Sequence, residues 1–150
     1  MKTTKELMGN IIIMQILDMG FITGSHAYGT AKEGSDLDIV IQVQDKEKVR
    51  KLLIGSPSMR DSDYFAGFKA IVYDYCVNII PVHPHEFLPW FLTTEAMKVT
   101  LVKSGITNKI LYCSIFQGMV ALFKATLPQL QNLEAYEKLN YRIIKEGYDV

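Results

Sequence analysis

The chain has 150 residues, 49% of them apolar, and its 16 basic and 16 acidic side chains cancel to no formal net charge. That length and apolar share suit one compact domain over residues 1–150 with a real core, and they exclude a disordered chain or a second large domain. Lysine and arginine are scattered, which argues against tracking a long nucleic-acid backbone while leaving a short acceptor end or a protein hydroxyl open as partner.

In chain order, residues 4–18 (TKELMGNIIIMQILD) space Leu7, Ile11, Met14 and Leu17 at helical intervals, with Thr3 or Thr4 as N-cap and Gly20 as the stop. The run Ile11 to Leu17 is broken by Gln15 and followed by Asp18, which speaks against a signal-peptide core. Phe21 to Thr23 is a first strand and Leu37 to Val43 a second, with a short helix expected over Ala27 to Ala31. Asp45 is placed to cap a helix over 46–54 that turns Val49, Leu52 and Leu53 inward and a solvated face of Lys46, Lys48, Arg50 and Lys51 outward, ending at Gly55. Gly55 to Asp63 reads as a loop, with Arg60 in solvent ahead of a second reading in which it reaches a triphosphate.

Phe65 to Tyr75 and Val77 to Val82 are β-rich, expected to pair antiparallel through a tight connection near Asp74 to Cys76. Pro81 cannot donate to a ladder, so its end of the strand should be an edge or a terminus. Helical spacing returns over 86–103, where Phe87, Trp90, Phe91, Thr94, Met97 and Leu101 share a side; Pro89 sets the start near His85 or Glu86, and Gly105 ends it. His83 and His85 are read as residues of that helix start, with no third ligand nearby to make them a metal pair. Residues 108–126, capped by Thr107 and stopped at Leu127-Pro128, form a nearly all-apolar helix, which implies burial between layers or a homo-oligomer interface. A last amphipathic helix is expected over 129–146.

The sum is an α/β (α+β) fold: a small mixed sheet of about four strands in a core over about 1–85, with a helical covering over 86–150. Cys76 and Cys113 lie far apart without zinc or disulfide spacing, so they read as buried thiols in a reducing, cytoplasmic compartment. No apolar stretch approaches the ~20 residues of a membrane span, and no membrane partner is expected.

The chemistry concentrates in Gly20 to Gln42, GFITGSHAYGTAKEGSDLDIVIQ. Alternation along a strand sends Asp36 and Asp38 to one side and Leu37 and Ile39 to the other. Two carboxylates held together repel unless a divalent cation lies between them, and oxygen ligands in an open site suit Mg²⁺, or Mn²⁺, sharing its shell with substrate phosphates. Gly24-Ser25 upstream can bring backbone N–H groups and a hydroxyl close to an anion, because glycine has no Cβ to hold a phosphate away. The amino end of the Ala27–Ala31 helix would face the same anion. A phosphate cradle beside a metal-binding pair implies a nucleoside triphosphate. Taken singly, an Asp-x-Asp is usually a solvated strand edge and a Gly-Ser a loop; their order and spacing raise both above that. His26, inside the loop, faces either phosphate or solvent.

Gly24-Ser25-x-Ala27-x-Gly29, then Ser35-Asp36-x-Asp38 leading into an apolar strand, resembles the signature of the DNA polymerase beta-like nucleotidyltransferase superfamily in its small stand-alone members. The resemblance implies that Gly24, Ser25, Gly29 and Ser35 hold an NTP, that Asp36 and Asp38 hold Mg²⁺, and that a nucleotidyl group passes to a hydroxyl. In the superfamily a third acidic residue on a later strand completes the metal set, in keeping with two-metal phosphoryl chemistry. The matching position here, in Val77-x-Ile79-Ile80, is Asn78; Asp74, then Asp61 and Asp63, are the acidic alternatives. VNIIPV with FLPWFLTTEAMK and IFQGMVALF also resembles, less specifically, small nucleotidyltransferase-like proteins often encoded by bacteriophages. Asn78 therefore keeps two other readings open: a catalytically weakened nucleotide-binding or regulatory module, and an antitoxin-like partner protein.

Overall fold

The computed structural model describes residues 2–54, 60–61, 67–104 and 109–126. Backbone contacts divide the chain into two compact units, Met1–His83 and Pro84–Val150.

The first unit runs α1 (Thr4–Met8), α2 (Ile11–Leu17), β1 (Gly20–Thr23), α3 (Ser25–Tyr28), β2 (Leu37–Gln42), a 3-10 turn (Val43–Asp45), α4 (Lys46–Leu52), β3 (Arg60–Asp61), β4 (Phe68–Val72) and β5 (Tyr75–Val82). The sheet order is β1-β2-β5-β4-β3. β2 and β5 run parallel, and the pairs β1–β2, β4–β5 and β3–β4 are antiparallel. The α+β class and mixed sheet expected from the sequence are thus present, as four full strands plus the two-residue β3 inside the segment read as a loop.

Register decides which side chains share a face. Ile22, Ile39, Ile79 and Phe68 stand in one cross-strand row and belong, with Leu37, Val77 and Ala70, to a cluster that includes Leu7, Ile13 and Ile16 of α1 and α2, Val49 of α4, and Leu53. The alternate residues take the other face: Phe21, Val40 and Ile80 form one buried row, and Thr23, Asp38, Asn78 and Lys69 form the polar row beside it.

The helix expected over 4–18 is two helices. Thr3 caps α1 as anticipated, but Asn10 starts a second helix by accepting from the N–H groups of Ile12 and Ile13. The break at Gly9-Asn10 resets the helical phase, so Ile13 and Ile16 are buried while Ile11 and Met14, expected inward, are 69% and 53% exposed. Each buried isoleucine contributes ~1.5–3 kcal/mol, more than the roughly one unit of N-cap energy at stake in where the helix begins. Gly20 is the first residue of β1 and does not stop the helix, which Asp18 ends. A side chain at Gly20 would run into the Val40 carbonyl of β2.

Three smaller expectations also change. Asp45 precedes α4 without a side-chain cap bond. The β4–β5 connection is Tyr73-Asp74, both in the left-handed region (φ 55° and 58°), as a two-residue primed hairpin turn requires; Asp74 is therefore a turn residue. Cys76 and Cys113 are thiols and are half-buried, not fully buried. Pro81 does fall where its missing donor is harmless, since β4 begins at Phe68 opposite Ile79 and leaves Pro81 beside β2.

The second unit contains α5 (Pro84–Ser104) and α6 (Lys109–Thr126). α5 begins earlier than expected, at Pro84, whose missing N–H costs nothing in a first turn, and Pro89 lies past that turn, where it leaves one backbone carbonyl without its helical donor. Phe87, Trp90, Phe91, Thr94 and Met97 are buried as expected, together with Leu88 and Thr93. The Thr94 hydroxyl donates to the Trp90 carbonyl, and Trp90 meets Phe116 of α6 edge-on, 4.8 Å between ring centres. Ile110, Leu111 and Leu122 of α6 are 81%, 49% and 62% exposed. The expected caps and stops at Gly55, Gly105, Thr107 and Leu127-Pro128, and the helix over 129–146, lie outside the described residues.

Candidate active site

At the end of β1 the chain turns through Gly24, at φ 71° and ψ −156°, a conformation that is essentially glycine's alone. α3 follows directly at Ser25 and ends at Gly29, a left-handed C-cap, so the short helix lies two residues ahead of its expected place. The turn sets Gly24 over β2: a Cβ built there would fall on the Asp38 Oδ2 atom. Glycine and carboxylate, 14 positions apart in the sequence numbering, are thus in contact range without a side chain between them.

Asp38 pairs in register with Thr23 on one side and Asn78 on the other. The Asn78 Nδ2 amide donates to Asp38 Oδ1 at 3.1 Å, while Asn78 Oδ1 is buried without a hydrogen-bond partner. Asp36, just before β2, accepts from Lys69 Nζ at 2.9 Å, both side chains a little over one quarter exposed (28% and 29%). A pair so exposed is worth only ~0–1 kcal/mol to stability. The Lys69 charge beside the Asp36 carboxylate is the more consequential property.

Lys69 was not singled out in the sequence. Its signal was present: in FKAIV the charged residue alternates with buried Phe68 and Ala70. Placing it beside Asp36, however, requires knowing that β4 borders β5 and β5 borders β2. Among the alternatives to Asn78, Asp61 stands opposite Phe68 in register and Asp63 lies outside the described residues. Arg60, expected in a loop, is in β3 opposite Lys69. The Ser35 hydroxyl accepts from the Lys32 N–H at 2.9 Å and closes the turn that leads into β2.

His26 faces neither phosphate nor solvent. It is 6% exposed, with Nδ1 2.9 Å from the Thr4 hydroxyl and Nε2 2.8 Å from the Tyr75 hydroxyl, and it meets the Tyr75 ring edge-on. It therefore ties α1 and the start of β5 to the loop after Gly24. Burial holds the imidazole below its ordinary pKa, with a smaller opposing pull from the Ser35 backbone. The folded form keeps the ring neutral, so unfolding takes up a proton once the pH drops under the ordinary histidine value of ~6.5. Stability from His26 should be intact above that pH and lost as the pH falls toward the lower folded-state pKa. His26→Phe should cost ~1–3 kcal/mol by leaving two hydroxyls a partner short. It should also flatten the change in urea midpoint between about pH 7.5 and 5.5; an unchanged slope would assign the acid sensitivity to another group.

The residues fit one divalent cation. Asp36 and Asp38 supply hard oxygen donors, the orphaned Asn78 Oδ1 is a third oxygen beside Asp38, and the absent Cβ of Gly24 lets Asp38 Oδ2 come up against the backbone of the turn. Among the described residues no group of three or more His, Cys, Asp or Glu side chains is placed to hold a metal.

The chain belongs to the nucleotidyltransferase domain family, whose model matches residues 19–110, from just before β1 to the start of α6. The general activity that membership brings is nucleotidyl transfer; it carries nothing on a phage origin. No curated protein and no solved structure gives a significant match. No helix among the described residues is long and apolar enough to cross a membrane.

Proposed function

We propose that the protein transfers a nucleoside monophosphate from an NTP to a hydroxyl acceptor, on a nucleic-acid end or a protein side chain, using Mg²⁺ or Mn²⁺ held by Asp36 and Asp38. The observation that carries this reading is the approach of Gly24 onto Asp38, since it puts a bare stretch of backbone next to the Asp38 carboxylate. Gly24 and Ser25 cradle the triphosphate, Gly29 and Ser35 shape the loop around them, and Asn78 orients Asp38 through its amide. When bound, the cation neutralises phosphate charge where it builds up in the transition state. The acceptor oxygen bonds to the α-phosphorus as the bond to the bridging oxygen breaks; pyrophosphate leaves and the hydroxyl proton passes to solvent.

With this goes a reading of residues 1–150 as one cytoplasmic domain without a membrane partner, in which 108–126 provide a homo-oligomer contact. Asn78 favours one second reading, a nucleotide-binding module that holds NTP without transferring it. Both require metal-dependent binding. Calorimetry with each of the four NTPs should give saturable binding of at least one in Mg²⁺ and none in EDTA. Equal affinity in both solutions would remove Asp36 and Asp38 from the site.

A further inference from the structure

We propose that the Lys69 ammonium takes the place of a second divalent cation, so that the site works with one metal ion and one fixed side-chain charge. This rests on the metal–NTP reading above and specifies its charge arrangement. Lys69 stands opposite Asn78 in the β4–β5 register, and Asn78 stands opposite Asp38 in the β2–β5 register. The row that carries the candidate ligands therefore holds a neutral amide at its middle and a cation beyond it.

Two features together close the site to a second ion. The amide contributes no charge and turns its N–H toward Asp38, which suits an acceptor and opposes a metal on that side. Lys69 Nζ lies 2.9 Å from Asp36 Oδ2, so that oxygen already has its cation. A Mg²⁺ bound to the same oxygen would sit ~2 Å from it and within a few ångströms of the ammonium, like charges at a separation where repulsion is strong. One ion shared with the triphosphate would be held by the second oxygen of Asp36 and by the Asp38 carboxylate, whose Oδ2 faces Gly24. Two carboxylates against one lysine leave a net single negative charge, suited to one divalent cation; three carboxylates without the lysine would call for two.

The charge swap predicts a double-variant result that neither change gives alone. Asn78→Asp places a new carboxylate opposite Lys69, which is positioned to neutralise it, so the single variant should still hold one ion. Lys69→Met in the Asn78→Asp background frees three carboxylates and should admit a second.

The test counts bound Mn²⁺ by the loss of its free-ion electron paramagnetic resonance signal, with the α,β-methylene analogues of the four NTPs, which bind without transfer. Expected are one Mn²⁺ per bound analogue for wild type and for Asn78→Asp, two for Lys69→Met/Asn78→Asp, and one again for Lys69→Arg/Asn78→Asp, where the charge is restored. Lys69→Gln replaces Lys69→Met if the latter does not fold. Two ions in wild type, two in Asn78→Asp, or one in the double variant lacking the lysine overturns the role of Lys69 while leaving the NTP site standing. Wild type that binds no analogue with Mn²⁺ removes the proposed function, and this inference with it.

Discussion

Gly24→Ala should abolish metal-dependent NTP binding and lower the melting temperature as well. Alanine at φ 71° and ψ −156° enters a region closed to side chains, which costs ~1–3 kcal/mol, and its Cβ lands on Asp38 Oδ2. For a chain of this size that strain corresponds to a fall of roughly 3–10 °C. Strain alone would not distinguish a site residue from a turn residue. Gly34 supplies the comparison, because it too lies at positive φ (87°) but a Cβ there meets nothing within 4 Å. Gly34→Ala should destabilise to a similar degree and keep its NTP affinity, read by calorimetry beside the melting curve. Equal loss of affinity in both variants would mean that loop strain, not the Gly24–Asp38 approach, controls binding.

Asp38→Asn should do the reverse, losing the ligand while keeping the fold. An amide at 38 can still accept from Asn78 Nδ2 through its own oxygen, so the cross-strand hydrogen bond persists. Removing one of two neighbouring negative charges also relieves repulsion in the metal-free protein, and its stability should match or slightly exceed wild type. Affinity for Mg²⁺·NTP should fall ~10–100-fold or more, at least the loss seen when even outer-shell partners of a metal are removed. The melting-temperature gain from NTP with Mg²⁺ should vanish with it, since a ligand stabilises only in proportion to its binding to the folded state. A variant that keeps that gain would place the metal elsewhere.

What the sequence disclosed follows from how local each signal is. The two-residue period of LDIVIQ is enough to put Asp38 on the face opposite Leu37 and Ile39, and glycine before Ser25 marks a turn whatever the tertiary context. In contrast, IIIMQIL is apolar at nearly every position, so several helical phases satisfy it; the Asn10 cap decides among them, and reading through Gly9-Asn10 as one helix chose the wrong face. Lys69 escaped notice, and both readings of His26, phosphate or solvent, fail, for a different reason. Each acquires its meaning from a partner on another element, Asp36 across two strand pairings and Tyr75 at the start of β5, and no spacing along the chain encodes those meetings. Asn78 was found through the third acidic position that the resemblance implies, and the β2–β5 register sets it opposite Asp38.

The most direct test of nucleotidyl transfer at this site is label transfer from NTPs carrying ³²P at the α or the γ position, incubated with the protein, Mg²⁺ or Mn²⁺ and a cell extract. The α label should appear on an RNA or protein acceptor, the γ label should leave as pyrophosphate, and both events should be absent with EDTA or with Asp38→Asn. Metal-dependent NTP binding with no α label on any acceptor would contradict transfer and leave the nucleotide-binding module. Label transfer that persists undiminished in Asp38→Asn would contradict the site itself.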